Sequence, residues 1–294
     1  MKTPSLNSAP SIQWHRPLWK ISLAAFLGLC FPVTVPVDAA DAAAMTLAQT
    51  PPAVQKTVQA NIGNGKVTSI SKGDEDGMAS YEVKFMNGPQ PRDLHVGEDG
   101  RLLSIQMALA ETPPAVQKSI QTQLGGDKLD AIEKTFDLDE TSYVVDITTK
   151  DGRESQFSIG EDGALLEMEI ALSEAPAPVQ KTLAAQMGNG TLTTLTRIID
   201  DKVTYDAEFT KDGKSGGVTV ASDGALLSVG ITLAETGAAQ KTILEKVGNG
   251  RILSIKKSFE KREKVLPFKV ESVKDGKYFN FSVGPKGRFL GMDD

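Results

Sequence analysis

Beyond residue 44, His95 is the only side chain whose ordinary pKa lies near neutrality, so proton transfer, nucleophile activation or metal ligation would have to be built around it. It stands between Leu94 and Val96 in an alternating stretch. That pattern predicts a strand with the two aliphatics turned inward and His95 turned toward solvent. The corresponding positions in three similar stretches downstream hold Ser158, Thr219 and Ser282. None of these can do an imidazole's work. The one cysteine, Cys30, lies in the apolar N-terminal stretch, so beyond it disulfides, zinc–thiolate sites and cysteine nucleophiles are excluded. With no second His or Cys, a metal site would depend on carboxylates, and the sequence reads His95 as an exposed structural residue.

Two acidic clusters invite a calcium reading and fail it. Counted as a twelve-residue loop, Asp74-Glu75-Asp76-Gly77 would need Asp where Lys72 stands and Glu where Val83 stands. Asp137-Leu138-Asp139 has Ser142 where the mid-loop glycine belongs. Both read as polar hairpin tips. Serine nucleophiles would need a base, and the one histidine beyond residue 44 cannot serve four equivalent sites. The expectation is no enzyme, no catalytic residue, no metal and no cofactor.

What positions these residues is a unit of about 60 residues that recurs four times. A Gln-Lys pair appears at Gln55-Lys56, Gln117-Lys118, Gln180-Lys181 and Gln240-Lys241, and a turn glycine at Gly100, Gly163, Gly224 and Gly287. An aromatic opens a strand at Tyr81, Tyr143, Tyr205 and Phe268. In the first copy Thr50 and the prolines after it suit a helix start, with Thr50 as N-cap. Val54, Val58 and Ile62 then form one apolar stripe, and Gly63 suits the helix end. A helix of about three turns is too short to stand alone in water.

The sheet it needs is legible as well. Tyr81, Val83 and Phe85 alternate with Glu82 and Lys84, and Leu94 and Val96 follow on a shorter strand. A last strand after the glycine is expected to turn Leu103, Ile105 and Met107 to one face. The stretch around Val67 and Ile70 has its apolar residues three apart and reads as a bulged first strand. Glu-Asp-Gly in copies one and two, Ser-Asp-Gly in copy three and Pro285-Lys286-Gly287 in copy four fit a type I turn closed by a left-handed glycine, because proline excludes type I′. The fold class is therefore α+β: four tandem units, each one helix on an antiparallel sheet of about four strands. The Gln-Lys-Thr/Ser triplet reads either as a repeated contact ladder or as inherited solvent-facing helix sequence, and its place beside the core positions favours the second.

Residues 1–44 read as a separate object. Arg16 and Lys20 precede an apolar run, Ile21–Val37, and Ala40-Asp41-Ala42 offers a small-residue exit, which is the order of a secretory signal peptide. An uncleaved anchor is the rival, but a run broken by Pro32 and Pro36 is short of the ~20 residues a bilayer core needs. Leu29 before Cys30 argues against lipoprotein processing. From Met45 onward 29 basic residues stand against 36 acidic ones. A mildly anionic chain is ill suited to neutralising phosphates, so nucleic acid is an unexpected partner, and no membrane contact is expected once the leader is gone.

The helix Pro52-Ala53-Val54-Gln55-Lys56, the strand Tyr81-Glu82-Val83 and the segment Gly97-Glu98-Asp99-Gly100-Arg101-Leu102-Leu103 resemble the PepSY-like domain, in its β-lactamase-inhibitor-like class. The fourth unit departs from the pattern at Phe268 and Pro285-Lys286. The resemblance implies an exported, periplasmic or secreted bacterial protein without enzymatic activity. It also implies tandem units whose sheets form a concave face, in proteins associated with binding or inhibiting secreted enzymes.

The expected organisation is a signal peptide over 1–44 and units over 45–107, 108–170, 171–231 and 232–294. Short joints such as Ala108-Leu109-Ala110-Glu111-Thr112 would connect them, and neighbouring units could pack in pairs. Candidate contacts for an unidentified protein partner are the charged residues of the outer sheet face: Glu82, Lys84, His95, Asp146, Asp206, Glu208, Lys269 and Glu271. The competing reading is a passive spacer array of the cell envelope.

Overall fold

The computed structural model describes residues 45–75, 78–137, 140–259, 266–274 and 277–293. The expected leader lies outside these, as do Asp76-Gly77 and Leu138-Asp139 at the two acidic tips. One order of elements recurs four times. Helix α1 (Pro52–Ile62) leads into β1 (Lys66–Glu75), β2 (Met78–Asn87), β3 (Gln90–Gly97) and β4 (Leu102–Gln106). Helix α2 (Pro114–Leu124) leads into β5 (Lys128–Asp137), β6 (Glu140–Thr148), β7 (Glu154–Gly160) and β8 (Leu165–Glu169). Next come α3 (Ala177–Met187), β9 (Thr191–Ile199), β10 (Val203–Lys211), β11 (Lys214–Ala221) and β12 (Leu226–Gly230). The last set is α4 (Gln240–Val247), β13 (Arg251–Ser258), β14 (Phe268–Lys274), β15 (Lys277–Val283) and β16 (Phe289–Asp293). No helix among the described residues is long and apolar enough to cross a membrane.

The strands do not divide into four sheets. They form one antiparallel meander of sixteen strands in chain order. The seams are short: β4 meets β5 through Ser104↔Thr135, Ile105↔Lys134 and Gln106↔Glu133, and β8–β9 and β12–β13 join through three pairs each. All three seams are alike, so neighbouring segments do not associate as pairs.

Each helix lays its apolar stripe on the strands that follow it, and four separate core clusters result. Val54 and Val58 sink among Tyr81, Val83, Phe85, Leu94 and Val96, as the alternation predicts. The first strands are bulged in all four segments, with register shifts such as Val67/Ser69 and Leu129/Ala131. A second bulge, between His95 and Val96, shifts β4 and corrects the expected facing of its residues. Leu102 and Ile105 join the first core, Leu103 stays outside it, and Met107 packs against the second.

The helix starts also differ from expectation. The N-cap of α1 is Pro51, while Thr50 closes the preceding 3-10 turn by donating its hydroxyl to the Leu47 carbonyl at 2.8 Å. Ahead of α4 no proline stands, and the chain kinks at Gly237 with φ of 55° instead. The hairpin glycines take the left-handed conformation, from φ 81° at Gly287 to 87° at Gly100. At Gly100 and Gly163 an added Cβ would meet Ala53 and Ala115, at 2.7 and 2.9 Å, so the turn forms the seat of the helix.

That seat explains the triplet. Gln55, Gln117 and Gln180 each donate a side-chain N–H to a carbonyl of the preceding turn, Thr50, Thr112 and Ala175, at 2.7–2.8 Å. Thr57, Thr182 and Thr242 donate to the carbonyls of Gly100, Gly224 and Gly287 at 2.5–2.7 Å. The lysines are exposed, and in the fourth segment Gln240 is exposed as well. The triplet is a clamp holding helix to turn, neither a contact ladder nor idle surface.

Candidate functional site

With helices on one side only, the other face of a flat sheet would be fully wet. Here it is not. His95 is 8% exposed, and Ser104, Glu133, Ser158, Thr219, Ser228, Ser258 and Ser282 on the same face are all buried. Curvature accounts for this. Asp74 at the end of β1 meets Arg251 at the start of β13 across 3.4 Å. Twelve strand spacings of ~4.8 Å would part these strands by about 58 Å in a flat sheet. The sheet therefore rolls through a turn. Helix residues turned away from it, such as Pro52, Ala53 and Lys56, are exposed, so the helices ride outside and the polar face lines the concave side. Small residues such as Ser228 and Gly230 suit that side, where side chains crowd together.

The expected contact residues all lie on this face, but their exposure differs from the sequence reading. Lys84 and Glu208 are exposed; Glu82, Asp146, Asp206, Lys269 and Glu271 are half-buried; His95 is buried. A tight cluster forms in the first segment. Glu82 on β2 stands opposite His95 on β3, and Lys84 opposite Asp93. The side-chain oxygens of Glu82 and Asp93 and a ring nitrogen of His95 all lie within 4.8 Å of one another. Lys84 Nζ sits 3.3 Å from Glu82 Oε1. Burial pushes the His95 imidazole below its ordinary pKa, against the pull of Asp93 and Glu82. Burial raises the Asp93 carboxyl, and the charge of Glu82 adds to that.

The other segments carry different chemistry at the same positions. In the second, Val144 faces Ser158, and Asp146 is raised by burial and by the nearby charges of Asp130 and Glu154. In the third, Asp206 faces Thr219, and burial raises its carboxyl although Lys256 reaches toward it to 3.8 Å. That reach spans two intervening strands and again reflects the curvature. In the fourth, Lys269 faces Ser282 and Glu271 faces Asn280. Asp93 and Lys256 were not singled out by sequence reasoning. Counting the hairpin register back from the two-residue turn between Asn87 and Gln90 places Asp93 beside His95, and that signal was available.

No curated protein sequence matches this chain. A family model described as "Putative beta-lactamase-inhibitor-like, PepSY-like" matches residues 38–104 and, overlapping them, 79–167. Among solved structures, a "BLIP-like protein" from Bacteroides fragilis is 17% identical, covers 40% of this chain and 84% of its own, and has a TM-score of 0.30. A protein from Bacteroides eggerthii described as periplasmic is 17% identical, with 40% of this chain and 87% of its own covered and a TM-score of 0.31. One from Bacteroides vulgatus, described as periplasmic and of unknown function, is 19% identical, with 43% and 98% covered and a TM-score of 0.30. The matched descriptions name no enzyme family. The likeness to PepSY-like, β-lactamase-inhibitor-like sequences thus covers the first two helices and the eight strands that accompany them, up to residue 167.

Proposed function

We propose that the chain is an exported, non-catalytic binding protein of the periplasm, and that it grips a protein partner in the concave, polar side of its rolled sheet. In this reading residues 1–44 direct export, and 45–107, 108–170, 171–231 and 232–294 are four PepSY-like units sharing the one sheet. The observation that carries it is the contrast between faces. The helix side keeps Val54, Val116, Val179 and Ala239 at one position, all buried. The polar side changes at Glu82, Val144, Asp206 and Lys269, and again at His95, Ser158, Thr219 and Ser282. A surface that only filled space would have no use for a charge that changes between segments. Restraint of a secreted or periplasmic enzyme is the form of binding that the family description favours.

The test is affinity purification of the chain from an envelope extract, beside a variant with Glu82→Lys, Glu208→Lys and Lys269→Glu. The expected outcome is a protein recovered by the native chain and lost by the variant, with both melting alike. Equal recovery by the two would move the contact off the concave face. A chain that still functions in cells after loss of the whole second segment would favour the spacer.

A further inference from the structure

We propose that Glu82, Asp93 and His95 form a binding site for a divalent transition-metal ion, with zinc the best match to the donor set. An imidazole nitrogen with two carboxylate oxygens is a set that zinc accepts, at bonds of about 2.0–2.2 Å. A tetrahedral ion with such bonds holds its ligand atoms about 3.4 Å apart, and the three atoms here already lie within 4.8 Å. Rotation of the two carboxylates closes the remainder, since the backbone is fixed by the β2–β3 register that sets Glu82 against His95.

The surroundings favour a cation. Two carboxylates crowd one buried imidazole, their oxygens and a ring nitrogen within 4.8 Å of one another. Lys84 is the charge that now stands against Glu82, at 3.3 Å. Its side chain is 56% exposed and can swing into solvent when an ion enters. Three protein ligands leave a fourth position open to water or to a partner's side chain. The set occurs once: the matching positions elsewhere are Val144, Gln156 and Ser158, then Asp206, Gly217 and Thr219, then Lys269, Asn280 and Ser282.

The experiment is calorimetric titration of the untagged chain from residue 45 with zinc chloride and, separately, calcium chloride. One zinc per chain is expected. His95→Ala and Asp93→Asn should each weaken binding by about tenfold or more, the range that disturbing a metal site brings. Lys84→Met should tighten it, and Ser158→Ala should leave it unchanged. His95→Gln keeps the side chain's bulk, and circular dichroism melting of every variant separates a lost ligand from a lost fold. No zinc bound at 100 equivalents, zinc binding that survives both His95→Ala and Asp93→Asn in folded protein, or calcium bound in preference to zinc would each overturn the assignment.

Discussion

The two faces of the sheet obey different rules. On the helix side, one solution is repeated: an aliphatic stripe, an aromatic strand, a glycine turn and a threonine that ties them. On the concave side, the backbone repeats but the side chains do not, from the His95 cluster to Lys269 and Glu271 of the fourth segment. Packing explains the first rule, since a close-packed core penalises both larger and smaller residues. The concave side is constrained only in size, because curvature crowds it, and its charge is free to vary. Conformity therefore marks the scaffold, and divergence marks the face proposed above for binding.

The sharpest way to break this contrast is to delete a large core side chain. Tyr143→Ala removes a ring that is 1% exposed beneath α2, and should cost about 3–5 kcal/mol, as large aromatic deletions do, measured by urea denaturation. A comparable loss from Ser158→Ala on the opposite face would erase the distinction. A smaller effect is expected at the turns. Gly163→Ala places a Cβ 2.9 Å from the Ala115 carbonyl oxygen at φ 86°, whereas Gly152→Ala meets open space at φ 83°. Both should lose stability by about 1–3 kcal/mol for the strained backbone, with Gly163→Ala the worse of the two. Equal losses would mean that the helix does not rest on the turn.

The mildest prediction concerns charge on the concave side. The folded-state pKa of Asp206 is raised, so its contribution to stability is fully present below the unfolded value and is lost as pH rises through the folded one. At pH 7, above the unfolded value, the raised carboxyl therefore weakens the fold. Asp206→Asn should raise the denaturation midpoint at pH 7, with the gain vanishing toward pH 3. A variant less stable at pH 7 would show that the attraction of Lys256 outweighs desolvation.

Local pattern carried most of the architecture. The period of Tyr81, Val83 and Phe85 and the spacing of Val54 and Val58 settle each core, and the irregular spacing of Val67 and Ile70 announces the bulge. The seams were silent, because pairing Ile105 with Lys134 depends on how two segments meet and leaves no local signature. The burial of His95 was equally hidden, since alternation assigns a face but says nothing of how far that face bends. The clamp formed by Gln55 and Thr57 went unseen for a related reason: its acceptors are carbonyls, which no residue type advertises.

The contact between Asp74 and Arg251 bears on how long such a chain must be. Strand for strand, the coil meets its own beginning at the thirteenth. A version one segment shorter would lack Arg251 and with it this ion pair to Asp74. The fourth segment thus buckles the ribbon onto its own start, and the ion pair is where the buckle fastens.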